Sequence, residues 1–187
     1  MSKDARREHL LAAALSMVRE GEAHLLTLAA VAAKGGVSKP VAYEHFGTRE
    51  GLLIALYESL DIKHTQAVHL ALPACQGSLQ LTAEALAAAF IDCAIKSGPE
   101  GTAIETALAA SGQGGDVRHA QQSKYVDLYS QALAPFMTVP QTDAPTLMVG
   151  LVGASDALGR EASLQRISRD NAIAALSAII RRTTETP

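Results

Sequence analysis

Three features of the sequence predict an all-α fold. Apolar residues recur at three- and four-residue spacing in run after run, as in Leu52, Leu53, Leu56, Tyr57 and Leu60. No stretch shows sustained period-two alternation or a hairpin turn, so no strands are expected. Glycines, prolines and Ser/Thr/Asp caps fall between the runs and divide the chain into about nine helices.

The first helix is expected over 2–20, with Leu10, Leu11, Ala14, Leu15, Met17 and Val18 at helical spacing and Gly21 just past its end. Thr27 stands before the apolar run Leu28, Val31, Ala32 and can cap a second helix by accepting an otherwise unpaired N–H. Gly35 and Gly36 stop that helix, since one of them can take the left-handed conformation without a Cβ clash, and Val37 can plug the angle to the next. Ser38 opens a third helix reaching about His45, because Pro40 fits only in a first turn. Thr48 caps a fourth, expected to reach about His69 before Pro73 ends it.

Beyond Gly77-Ser78 an Ala-rich run over 79–96 reads as a helix terminated by Ser97-Gly98-Pro99, followed by a short helix over 102–110. Asp116 can cap a helix through about Ala134, with Pro135 and Pro140 bracketing its end. Asp143 or Thr142 caps the next, over 144–158, with Pro145 in its first turn. Ser168 caps the last, over 169–182, where Arg181 and Arg182 meet the negative end of the helix dipole.

Two short helices around a glycine turn, then a longer helix, form the pattern of a helix-turn-helix. Val41, Ala42 and Phe46 supply the apolar inner side of the second short helix. Lys39, Tyr43, Glu44 and His45 are left as candidates for its outer side. An outward helix carrying Lys, Tyr and His can enter a DNA major groove. Its neighbours Thr27, Ser38 and Arg49 lie at helix N-termini, where backbone N–H groups can meet phosphate. Charge is divided in the same sense: residues 1–50 carry seven Lys or Arg against six acids, and the rest nine against thirteen. A mildly basic head on an acidic body suits a protein that binds nucleic acid locally, not one that coats it.

The run Gly36, Val37, Ser38, Tyr43, His45, Phe46, followed by Arg49 and Leu52-Leu53, resembles the TetR/AcrR family of one-component transcriptional regulators. The likeness covers about the first 55 residues. Two positions depart from it: Ala42 replaces a larger aliphatic residue, and Glu44 sets a negative charge beside a phosphate-facing surface, where it lowers non-specific affinity or selects a partner such as a cytosine amino group. The resemblance implies a DNA-binding head at 1–50 and a helical ligand-binding and dimerisation body at 51–187. It assigns Tyr43 to phosphate or a thymine methyl, His45 and Arg49 to phosphates, and Lys39 with Val41 to the groove floor or its edge. The other reading makes Tyr43 and His45 packing residues. Arg6 and Arg7 either reach the DNA backbone or form a solvated face.

For the body the resemblance implies a pocket lined around Phe90 and Cys93 and by Tyr125 and Tyr129, which the alternative reading leaves as ordinary core. With no Trp, three Phe and four Tyr in the chain, a small, moderately apolar ligand fits best. The last two helices are rich in small and aliphatic residues, including Gly150, Gly153 and Ala157. In TetR-like proteins this pair packs against its copy in a second subunit, which makes Leu147, Leu151, Ala154, Ile173, Leu176 and Ile180 candidate interface residues unless they complete the monomer core. The expected partners are a double-stranded DNA operator, a second copy of the chain and that ligand.

Other classes find little support. No apolar run nears the roughly 20 residues that cross a bilayer and the start MSKDARREHLL has no signal-peptide core, so a cytoplasmic protein with no membrane partner is expected. Cys75 and Cys93 form no Cys-x-x-Cys pattern, and His64 and His69, five apart, fall on different helix faces, so neither metal nor cofactor is expected. The glycines at 112, 114 and 115 follow a helix and lack the Lys-Ser/Thr ending of a phosphate loop. No catalytic residues are assigned. The rival functions are a DNA-binding dimer without a ligand and an enzyme on a helical scaffold.

Overall fold

A computed structural model describes residues 2–112, 114–138 and 143–184. Gln113, Pro140 and Thr142, the second candidate cap, lie outside them, as does the side chain of His64. Among the described residues there are eight α-helices and no strand: α1 (Lys3–Arg19), α2 (Leu28–Lys34), α3 (Lys39–Phe46), α4 (Arg49–Ala71), α5 (Leu79–Ala110), α6 (Gly114–Leu133), α7 (Ala144–Ser163) and α8 (Arg169–Thr184). Single 3-10 turns follow α1, α4 and α6. The one at Leu72–Cys75 takes in Pro73, whose missing N–H costs nothing at a helix start.

The count is eight, not nine, because the runs over 79–96 and 102–110 form one helix. Pro99 lies inside α5 and does not end it. An interior proline forfeits one backbone hydrogen bond and crowds the residue before it, chiefly through that residue's Cβ. Here the preceding residue is Gly98, which has none. Its Cβ position is also taken: an atom there would stand 2.7 Å from Ser163 Cβ on α7. Burial on both sides of the proline, at Phe90 and Ile91 before it and at Ile104 and Leu108 after it, offsets the lost bond.

The chain forms two compact units, Met1–Asp61 with Pro99–Val117, and Ile62–Gly98 with Arg118–Pro187. The core of the first joins Leu10, Ala14, Val31, Phe46, Leu52 and Leu56 to Ile104 and Leu108, so it draws on α5 as well as the N-terminal helices. Two contacts tie α5 into this unit: Arg19 Nε donates to Glu100 Oε1 at 2.8 Å, and the Tyr57 hydroxyl donates to Glu105 Oε1 at 3.1 Å.

The second unit buries Leu86, Ile91, Tyr129, Leu133, Leu151, Leu176 and Ile180. Helix α7 approaches α5 closely, since a Cβ on Gly159 would stand 2.9 Å from Ala94 Cβ and 3.1 Å from the Phe90 ring. Small residues one turn apart on both helices, Ala94 and Gly98 against Gly159 and Ser163, make that approach possible.

Candidate nucleic-acid interface

Local chemistry builds the helix-turn-helix. Thr27 Oγ1 accepts from Ala30 N at 3.1 Å and closes the start of α2. Gly36, at φ +64°, ends that helix in the left-handed region, and Val37 packs partly buried against the core below. Ser38 takes the N-cap place of α3 in extended conformation, but its side chain makes no capping bond, in contrast to Thr27. Pro40 lies in the first turn of α3, where the fixed φ suits the helix. Gly47, at φ +68°, ends α3, and Thr48 Oγ1 accepts from Gly51 N at 3.1 Å to start α4.

Helix α3 then divides by face. Ala42 and Phe46 are buried. Lys39, Pro40, Tyr43 and Glu44 are exposed, while Val41 and His45 are half-buried at the border. Tyr43 is 54% exposed, so its ring is not packed into the core.

Long-range contacts fix this face, and spacing within a helix could not have revealed them. Nε2 of His9 on α1 donates to the Gly35 carbonyl at 2.8 Å and so braces the turn between α2 and α3. The Arg7 guanidinium lies over the Phe46 ring, 5.6 Å from its centroid, so Arg7 supports α3 from beneath. Arg49 Nε donates to the Leu26 carbonyl at 2.7 Å and ties the start of α4 to the residue before Thr27. Lys34 pairs with Glu20 at 2.6 Å, which holds that carboxyl below the usual range. Lys3 at the start of α1 lies 3.4 Å from the Glu44 carboxylate.

The residues expected to line a pocket sit in the second unit. Phe90 and Tyr129 are buried, Cys93 and Tyr125 half-buried. Phe90 and Tyr125 meet edge to face with ring centroids 5.7 Å apart. The Tyr129 hydroxyl lies 3.5 Å from Ser155 Oγ, which itself donates to the Leu151 carbonyl at 2.9 Å. Burial drives the Tyr129 phenol well above its ordinary pKa, so it stays protonated.

The candidate interface residues split. Leu151, Leu176 and Ile180 are buried in the core of their own chain, whereas Leu147, Ala154 and Ile173 keep part of their surface. A side chain with no exposed area has none to offer a partner, so an interface on these helices must lie on their other side. That side carries Val149, Gly150, Gly153 and Ala157 on α7, and Ala174, Ala175 and Ile179 on α8, all exposed.

The family described as bacterial regulatory proteins, tetR family, matches residues 10–56. The sequence matches none of the curated proteins. Among solved structures, the chain is similar to a TetR-like transcriptional regulator from Rhodococcus sp. RHA1, with 20% identity, TM-score 0.69 and all of both chains covered. It is also similar to the multidrug binding protein EbrR complexed with imidazole, with 19% identity, TM-score 0.72 and 97% of this chain and 96% of that one covered. A third is the fatty acid degradation regulator FadR from Bacillus halodurans, with 13% identity, TM-score 0.66 and coverage of 97% and 95%. At these identities the structural likeness establishes the fold. No helix of the described residues is long and apolar enough to cross a membrane. The head, residues 10–56, thus matches the tetR family of bacterial regulatory proteins, and the whole chain shares the fold of these TetR-like regulators.

Proposed function

We propose that the chain is a cytoplasmic homodimeric repressor that holds a near-palindromic operator and leaves it when a small apolar molecule binds. Residues 1–50 are its reading head and 51–187 its ligand-binding and dimerisation body. The observation that carries the reading is the division of α3 into a buried apolar side and an uncovered side bearing Lys39 and Tyr43. Tyr43 meets phosphate or a thymine methyl, and Lys39 and Val41 meet the groove edge. His45, the helix starts at Thr27 and Ser38, and the Nη atoms of Arg49 meet phosphates. Phosphate contacts set the position and base contacts the sequence.

Two-fold symmetry follows from the operator, since two such helices about 34–36 Å apart enter successive major grooves on one face of the duplex. The outward side of α7 and α8 supports this, because small residues there let a second pair of helices approach closely. The ligand would seat near the Phe90 and Tyr125 rings, with Cys93 and Tyr129 adjacent. It favours release only by its differential affinity for the two conformers, typically about 1–3 kcal/mol.

Binding sites selected from random duplex DNA give the test, and a palindrome is expected. Tyr43→Ala should abolish retention of that site in a gel while the dimer stays intact by sedimentation. Unchanged retention overturns the role given to Tyr43.

A further inference from the structure

The exposed side of α3 carries three side chains able to hydrogen-bond a base: Lys39, Tyr43 and Glu44. A glutamate carboxylate such as that of Glu44 accepts and cannot donate. Its side chain is 59% exposed, next to Tyr43 on the surface that faces a polyanion. Unless it meets a donor there, it only repels DNA. Lys3 answers that charge in the free protein from 3.4 Å, an exposed pair whose small worth leaves it open to exchange.

The donors on the floor of a major groove are the amino groups of cytosine and adenine. Adenine N6 lies between two acceptors, N7 of its own ring and O4 of the paired thymine, and both repel a carboxylate. Cytosine N4 has an acceptor on one side only, the O6 of its guanine. We infer that Glu44 reads a cytosine in each half-site of the operator, its carboxylate accepting the N4 amino hydrogen while Lys3 is released toward the backbone. This rests on the DNA-binding reading and adds to it a residue that determines specificity. It accounts for an acid on a helix otherwise suited to phosphate.

The experiment is site selection from a random duplex pool with the wild-type chain, Glu44→Ala, Glu44→Gln and Lys3→Ala. The wild type should enrich a cytosine at one position of each half-site, with about tenfold preference over thymine in competition gels. Glu44→Ala should lose the preference at that position alone. Glu44→Gln should move it to adenine, whose N6 and N7 suit an amide. Lys3→Ala should change affinity and leave the chosen base alone. A wild-type motif that both Glu44 variants enrich unchanged overturns this inference and spares the reading beneath it. A wild-type chain that enriches no motif overturns both.

Discussion

Helix α3 and the pair α7–α8 have the same plan with opposite chemistry. Each gives one side to a core, through Ala42 and Phe46 in the first case and Leu151, Leu176 and Ile180 in the second. The uncovered side of α3 carries Lys39, Tyr43 and Glu44, whereas that of α7 and α8 carries the small or apolar Val149, Gly150, Gly153, Ala174, Ala175 and Ile179 beside Asp156 and Arg160. Charge and hydrogen-bonding groups fit a partner that is itself charged and wet. Small apolar groups fit one that can exclude water at close range. A helix's partner is therefore read from the face its own core leaves uncovered, not from its strongest apolar stripe.

The largest effect is expected where the α3 face is held. A Cβ added at Gly51 falls on the Phe46 carbonyl oxygen, in the turn where Thr48 N donates to that same oxygen at 2.7 Å. Backbone cannot yield as a side-chain tip can, so Gly51→Ala should cost near the upper end of about 1–3 kcal/mol. Thermal unfolding measures the loss, and DNA retention should fall with it. A variant of unchanged stability would show that the turn can open without harm.

The next pair of variants tests the two sides of α7 against each other. Gly159 packs on Ala94 and Phe90, so Gly159→Ala should cost about 1–2 kcal/mol of stability and leave association alone. Gly153 has nothing within 4 Å of its Cβ position. Gly153→Glu should leave the folded chain as stable or slightly more so, since glycine is a poor helix residue, and should break the dimer by sedimentation. Dimers that survive Gly153→Glu would move the interface elsewhere, and the comparison with α3 would lose one side.

How far the sequence reveals this depends on the range of the interactions. The head was legible because its devices are local: Thr27 caps three residues on, Gly36 ends α2, and Pro40 marks a first turn. The Ser38 cap was only half legible, since its position is right and its side-chain bond absent. Pro99 misled, because a Ser-Gly-Pro run reads as a stop. What carries α5 through it is a glycine pressed against Ser163, 65 residues away. Gly150, Gly153 and Gly159 look alike as letters, and only the nearness of Ala94 decides which of them turns inward. Contacts such as His9 to Gly35 and Lys3 to Glu44 join different helices and leave no periodic signal. The residues at the face were therefore readable, while the contacts that aim them were not.

The smallest effect concerns what anchors α8, and with it the outward side of the pair. Arg169 holds Asp92 on α5 with two bonds, Nε to Oδ1 at 2.6 Å and Nη2 to Oδ2 at 2.8 Å. The guanidinium keeps the Asp92 carboxyl below its usual range. A folded pKa below the unfolded one means that the unfolded chain takes up its proton first as pH falls. The stabilisation is thus complete above the unfolded value of about 4 and fades as pH drops through the folded one. Both side chains keep solvent access, at 33% and 50%, so water and salt screen the pair and its contribution at pH 7 is small. Asp92→Asn should lower the unfolding temperature slightly at pH 7, less at high salt, and the gap should narrow as pH falls below about 4. A gap that does not narrow as pH falls below about 4 would mean that Asp92 acts by shape and not by charge.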